Sequence, residues 1–143
     1  MKLSKALKLK KRLASDLTRL QSKVQSNNSV LKGNTLKYDI NELMKGISDK
    51  RKDLINLKIS INNANVTIQG KIYELAETKS YIQFLKAINT EEGIVTSRYG
   101  DGPSQNYTVI IDEIQKDSLI TKAQDKLDSI QEEIDTFNYT TTV

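Results

Sequence analysis

Apolar residues recur along the first half of the chain in alternating steps of three and four, the spacing of a coiled-coil helix. Residues 3–24 carry one such seam and residues 40–61 carry a second, and each seam includes one lysine. A lysine fits a seam because its alkyl stem is apolar while its ammonium group stays in water. The seams predict helices over about 3–26 and 39–62, and the short turn-forming linker between them predicts an antiparallel pair.

The second half of the chain changes its period twice. A helical pattern predicts a third helix over about 71–89, and the most regular seam of all predicts a fourth over about 116–137. Between them, β-branched segments flank the turn formers Gly100–Pro103, which predicts a hairpin over about 94–111. The last five residues, 139–143, are predicted to be extended. The whole chain, 1–143, is thus predicted as a single, mainly α domain: a four-helix antiparallel bundle with a β-hairpin inserted between helices three and four.

The hairpin and the long seams also bear on assembly. An isolated two-stranded hairpin is marginally stable in water, and its edges offer unpaired backbone groups. It must therefore rest on the helices or pair with another copy of the chain. Together with the long apolar seams, this favours a homo-oligomer.

Composition removes most catalytic chemistry. The chain of 143 residues has no His and no Cys. It therefore lacks the usual metal ligands, the proton shuttle that works near neutral pH and the thiol nucleophile. Neighbouring carboxylates alternate with lysines on helix faces, and no phosphate-binding glycine loop occurs. We expect a protein that is not an enzyme, with no catalytic residue, no metal site and no cofactor.

Charge is distributed unevenly. Residues 1–23 hold eight lysines and arginines against one Asp, whereas the net charge of the whole chain is +4. The basic first helix would suit an anionic lipid surface or nucleic acid, or it is simply a solvated helix exterior. No secretory signal pattern and no membrane-length apolar run is found. We expect a cytoplasmic protein with no specific nucleic-acid partner, for which membrane binding is a lesser alternative.

A polar cluster interrupts the second seam at its end. Asn62, Asn63 and Asn65 follow the seam directly, and Gly70 comes shortly after. One interpretation is a helix C-cap and turn, because Asn and Gly are common at helix ends. The other is the polar floor of a ligand pocket, because an amide both donates and accepts hydrogen bonds. Asn62 and Asn65 are the candidate ligand-binding residues of this cluster.

The hairpin holds the second candidate set. Ser97 supplies a hydroxyl, Arg98 a guanidinium that can bind phosphate bidentately, and Tyr99 a ring that can stack on a base. Tyr107 is expected across the hairpin from this segment. The alternative is an ordinary exposed strand, since β propensity alone accounts for Thr and Tyr there.

Four short segments carry a resemblance to a known family. Met1–Leu7, Ile61–Asn65, Ser97–Tyr99 and Phe137–Thr141 resemble, in order, segments of the septicolysin-like proteins. These are small helical proteins of bacteria and phages. The family name implies haemolysis, and thus a membrane-acting, cytolysin-like role as an alternative.

The functional expectation combines these observations. We expect an oligomeric binding protein that sequesters a small anionic, nucleotide-like signalling ligand, in analogy to phage proteins that act as sponges against nucleotide-based immune defence. Its partners would be copies of itself and that ligand. A structural or protein-interaction module, with the seams used for partner helices, is the main alternative.

Overall fold

The computed structural model describes residues 1–96, 100 and 102–143. These residues form four helices, and a two-stranded antiparallel hairpin lies between the third and the fourth. The mainly α class and the position of the hairpin are confirmed. The elements are α1 (Leu3–Asn27), α2 (Ile40–Asn65), α3 (Gln69–Lys86), β1 (Gly93–Val95), β2 (Gln105–Tyr107) and α4 (Glu113–Thr140).

The residues group into two compact units, which are described separately. Unit 1 comprises Met1–Gln69 and Asp135–Val143, and unit 2 comprises Gly70–Ile134. In unit 1, α1 and α2 run antiparallel, as predicted. Leu3 and Ala6 pack with Ile61 at one end of the pair. In the middle, the Lys50 ammonium lies 3.7 Å from the Asp16 carboxylate, so the lysine of the second seam reaches a charge on the facing helix.

Burial along the two seams is uneven. Ile47, Leu54 and Ile61 of α2 are buried. The corresponding positions of α1 beyond its first turns, Leu13 and Leu17 among them, are only half-buried. Two helices cover only one side of each seam, so a two-helix pair leaves part of the apolar surface in water.

The chain ends meet in unit 1. Lys2 and Thr142 form an antiparallel β-bridge, and the Leu3 amide donates to the Thr141 carbonyl at 2.9 Å. The predicted extended tail is wrong for residues 139 and 140, which belong to α4. The helix continues because Phe137 in its last turns packs against the Leu3–Ile61 cluster.

In unit 2, α3 and α4 share a small core. Ile82 and Leu85 of α3 pack with Ala123 of α4, and half-buried apolar residues surround them. The hairpin is shorter than the predicted 94–111, because the ladder includes only the pairs from Gly93–Tyr107 to Val95–Gln105. Gly93 has a φ of +90°, which turns the chain away from the strand direction. Residues 108–111 therefore have no ladder partner, although their β-branched sequence predicted a strand.

Candidate functional site

The Asn cluster forms the last turn of α2 and the turn that follows it. The helix includes Asn62 and ends at Asn65, whose carbonyl accepts a hydrogen bond from the Ile68 amide at 3.0 Å. Between them, Ala64 packs against the buried cluster of unit 1. The hydrogen bond from the Ile68 amide satisfies one of the backbone carbonyls that the end of α2 leaves free. Among the described residues, the side-chain amides of Asn62 and Asn65 have no hydrogen-bond partner, so both are available to a ligand.

The hairpin contributes one described member of the predicted site. Ser97, Arg98 and Tyr99 lie outside the described residues. Tyr107 ends β2, and its hydroxyl donates to the Gln105 side-chain oxygen at 2.8 Å. The register places Gly93 opposite Tyr107, at the end of the described ladder that is farther from the turn. The expectation that Tyr107 lies across from the segment around Arg98, which is outside the described residues, stays a prediction.

Tyr107 borders a hollow of unit 2. Its cavity of about 450 Å³ is lined by Ile88, Asn89, Glu91 and residues 107–111. The Glu91 carboxylate is the charged group among these residues, so the described lining does not attract an anion. Arg98 would have to supply the positive charge. The two Asn residues belong to unit 1 and Tyr107 belongs to unit 2, so the described members of the predicted site belong to different units.

Helix α3 carries an exposed aromatic face that was not predicted from the sequence. Tyr73, Tyr81 and Phe84 are all exposed, and Phe84 is 61% exposed. The Tyr81 and Phe84 rings are stacked, with centroids 6.0 Å apart. Steps of eight and three residues place these three rings on one side of a helix. The spacing was visible in the sequence, but the opposite side, with Ile82 and Leu85, had the stronger aliphatic pattern.

A second apolar surface lies where the chain enters α4. Ile110 is 98% exposed and Ile114 is 80% exposed. They border a hollow of about 490 Å³ that also touches Ile111 and Leu119. Isolated exposed apolar residues are ordinary, but several that share one hollow form a candidate surface for a binding partner.

Unit 2 also carries a chain of four alternating charges between α3 and α4. The Lys126 ammonium lies 3.1 Å from Glu74, and the Lys71 ammonium lies 3.5 Å from Glu74 and 3.1 Å from Glu133. The hydrogen bond from Lys126 lowers the pKa of the Glu74 carboxyl, and the hydrogen bond to Glu133 raises the pKa of the Lys71 ammonium. Both shifts favour the charged forms of Glu74 and Lys71, which suits structural ion pairs rather than an acid or base in catalysis.

Searches for a metal site and for a membrane span cover the described part of the chain. Within it, no group of three or more carboxylates is placed to hold a metal ion. No helix there is both long and apolar enough to cross a bilayer.

Comparisons with family models, with curated proteins and with solved structures find no match for this chain. The septicolysin-like resemblance therefore stays a prediction from the sequence.

Proposed function

We propose that this chain is a non-enzymatic helical binding protein that assembles with copies of itself. The observation that carries the proposal is the aromatic face of α3, formed by Tyr73, Tyr81 and Phe84. Aromatic residues are enriched at protein interfaces, where each buries roughly 150–250 Å². The hollow beside Ile110 and the half-buried seam of α1 add further apolar surface of the kind that a second chain covers.

Mass measurement combined with one matched pair of variants tests the assembly. Phe84→Lys places a charge in the aromatic face, and Gln83→Lys adds the same charge at a neighbouring exposed position about 100° around the helix. We expect wild type and Gln83→Lys to form the same multimer by native mass spectrometry and sedimentation. Phe84→Lys should weaken assembly by roughly tenfold or more, since a buried unpaired charge is costly. A wild type that is monomeric at every concentration, with circular dichroism showing folded helices, would contradict the proposal.

The second part of the proposal concerns the ligand. The assembly binds a small anionic molecule of nucleotide type and sequesters it in the cytoplasm without transforming it. Arg98 would pair with phosphate, Tyr99 and Tyr107 would stack on the base, and Asn62 and Asn65 would bind its edge or the ribose, with Ser97 as a further donor. The side-chain amides of Asn62 and Asn65, which have no hydrogen-bond partner among the described residues, support this assignment. A sponge against nucleotide immune signals has these same requirements.

Thermal shifts with AMP, cyclic AMP and ADP-ribose test the ligand class. We expect at least one of them to raise the melting temperature of the wild type, and Arg98→Ala to reduce that rise while leaving the melting temperature of the free protein unchanged. Arg51→Ala is the matched control, because Arg51 is an exposed arginine on α2 with no ion-pair partner among the described residues. No shift with any of the three nucleotides, or an equal loss in both variants, would refute the ligand assignment.

The apolar faces also favour the alternative of a protein-interaction module, in which a different chain covers α3. The same variants separate the two functions. A wild type that is monomeric alone but forms a complex of defined stoichiometry with a host protein, lost in Phe84→Lys and kept in Gln83→Lys, would establish the alternative.

A further inference from the structure

A narrow groove in unit 1 lies between the first turns of α1 and the last turns of α4. On the α1 side it is lined by Ser4, Leu7, Lys8 and Lys11. Residues three and four apart on a helix are neighbours on one face, so the serine hydroxyl and the two ammonium groups form a row along one side of the groove. In the sequence, these lysines are visible only as part of a basic helix.

The α4 side of the groove adds an amide, a ring and an acid. Asn138 is half-buried, and the Tyr139 side chain is 67% exposed. Asp135 lies one turn before them and is the negative group of the lining. Two lysines face one aspartate, so the groove keeps a net positive charge.

Both walls are held by buried and hydrogen-bonded neighbours. Leu3 and Ala6, next to the lysine row, are fully buried, and Phe137 of α4 packs against the same cluster. The Leu3 amide donates to the Thr141 carbonyl at 2.9 Å, which fixes α1 against the end of α4. The groove is therefore formed before any ligand arrives, and binding does not have to order the backbone.

The electrostatics of the groove favour a phosphate. Within the described residues, neither Lys8 nor Lys11 has an ion-pair partner. Ser4 lies in the first turn of α1, where the helix dipole adds positive potential. At the C-terminal end of α4, the Lys2 ammonium donates to the Thr140 carbonyl at 2.8 Å and so offsets the negative end of that helix.

The size of the groove limits what it can enclose. Its cavity is about 180 Å³, whereas pockets that enclose whole small molecules have roughly 300–1,000 Å³. The groove thus has room for the charged end of a ligand and not for all of it. The rest would lie outside, where the exposed Tyr139 ring offers a stacking surface.

We infer that this groove binds a small phosphorylated molecule with a planar ring, the phosphate held by Lys8 and Lys11 with the Ser4 hydroxyl, and the ring stacked on Tyr139. Asn138 is placed to hydrogen-bond the part that joins them. This site shares no residue with the ligand site proposed above and does not depend on it.

Calorimetry with AMP tests this site, in the full chain carrying Arg98→Ala so that the hairpin cannot contribute. On that background, Lys8→Gln with Lys11→Gln removes the phosphate contacts. Lys5→Gln with Arg12→Gln removes the same charge from exposed positions of α1 that do not line the groove. We expect AMP affinity to fall roughly tenfold or more in the first pair, because hydrogen bonds to charged groups are lost, and to change less than about twofold in the second.

Three further probes are inorganic phosphate, adenosine and vesicles containing phosphatidylserine. The first two test the phosphate end and the ring end of the ligand separately, and the vesicles test whether the phosphate belongs to a membrane lipid. Tyr139→Leu should weaken the binding of AMP and leave that of inorganic phosphate unaffected. Adenosine should bind more weakly than AMP to every variant that keeps Lys8 and Lys11. The inference is overturned if AMP binds the Lys8/Lys11 variant as it binds the background, or if both charge pairs lose affinity equally. It is also overturned if vesicles containing phosphatidylserine bind through these lysines and AMP does not displace them, since the partner would then be a membrane surface.

Discussion

The ammonium of Lys126 and the carboxylate of Glu74 lie 3.1 Å apart and join α4 to α3 in unit 2. Lys71 extends the contact, since its ammonium lies 3.5 Å from Glu74 and 3.1 Å from Glu133. All of these side chains are more than a third exposed, so water and salt screen the pairs. These ion pairs therefore orient α3 and α4 and add little to the free energy of unfolding.

The pKa directions of this charge chain predict how stability depends on pH. The hydrogen bond from Lys126 lowers the pKa of Glu74 in the folded protein, so folding favours the ionised carboxylate. Its stabilising effect is present above the ordinary glutamate pKa of about 4.3 and is lost as pH falls below it. The Lys71 pKa is raised, so its contribution is present below about pH 10.4 and is lost at higher pH.

Glu74→Gln should therefore lower the melting temperature slightly at pH 7, and by progressively less as the pH falls below the ordinary glutamate pKa of about 4.3 and protonation removes the charge of Glu74. Glu77→Gln is the control, because Glu77 is exposed on the same helix and has no ion-pair partner within the described residues. Melting curves at low and high salt complete the test. If Glu74→Gln and Glu77→Gln differ in melting temperature as much at pH 3 as at pH 7, the ion pair is not the cause of the difference.

The N-terminus of α2 supplies a second prediction. The Asp39 carboxylate accepts a hydrogen bond from the Glu42 amide at 3.1 Å and so satisfies one of the free donors of the first turn. Asp39→Ala should cost about 0.5–2 kcal/mol of unfolding free energy, as the loss of a cap does elsewhere. Asp39→Asn retains an oxygen that accepts this bond and should cost less. Urea denaturation of the three proteins measures the difference, and equal losses would assign the effect to charge.

The core of unit 2 leads to a third prediction. Leu85 is 1% exposed and packs with Ile82 and Ala123, so Leu85→Ala leaves a cavity. We expect a loss of about 2–5 kcal/mol of unfolding free energy. Ile114→Ala, at an exposed position of α4, should cost far less in the dissociated chain. A small effect of Leu85→Ala, measured by chemical denaturation below the concentration at which the chains assemble, would contradict this core.

The sequence predicted most of the fold because its helices are marked by local patterns. Ile47, Leu54 and Ile61 recur at seam spacing and are the buried residues of α2. The length of the hairpin was predicted wrongly, because whether Thr108 and its neighbours pair depends on the backbone of the opposite residues. Gly93, with its positive φ, ends the ladder there. A pattern along one strand does not contain that information.

The candidate site is harder to predict for a related reason. Asn62 and Asn65 are neighbours on one helix, so their shared location followed from spacing alone. Whether they join Arg98 depends on contacts between distant segments and on assembly, which no local pattern encodes. The spacing of Tyr73, Tyr81 and Phe84 places them on one side of α3 and could be recognised in the sequence. Their exposure depends on which side of α3 the neighbouring helix covers, and the sequence does not show this.

Two glycines of unit 1 give opposite predictions for the same substitution. Gly46 lies inside α2, where a glycine costs about 0.5–1 kcal/mol relative to alanine. A Cβ at Gly46 would lie 3.9 Å from Leu20 Cδ1, an ordinary van der Waals contact, so Gly46→Ala should stabilise the protein by about that amount.

Gly33 tests the reverse case, because its surroundings are open but its φ is +92°. A side chain has room there, yet an L-residue in a left-handed conformation costs about 1–2 kcal/mol. Gly33→Ala should therefore lower the unfolding free energy while Gly46→Ala raises it, both measured by urea denaturation of otherwise identical proteins. If both substitutions change the unfolding free energy in the same direction, one of two features is absent from the folded chain. These are the helical position of Gly46 with room for a methyl group, and the left-handed turn at Gly33.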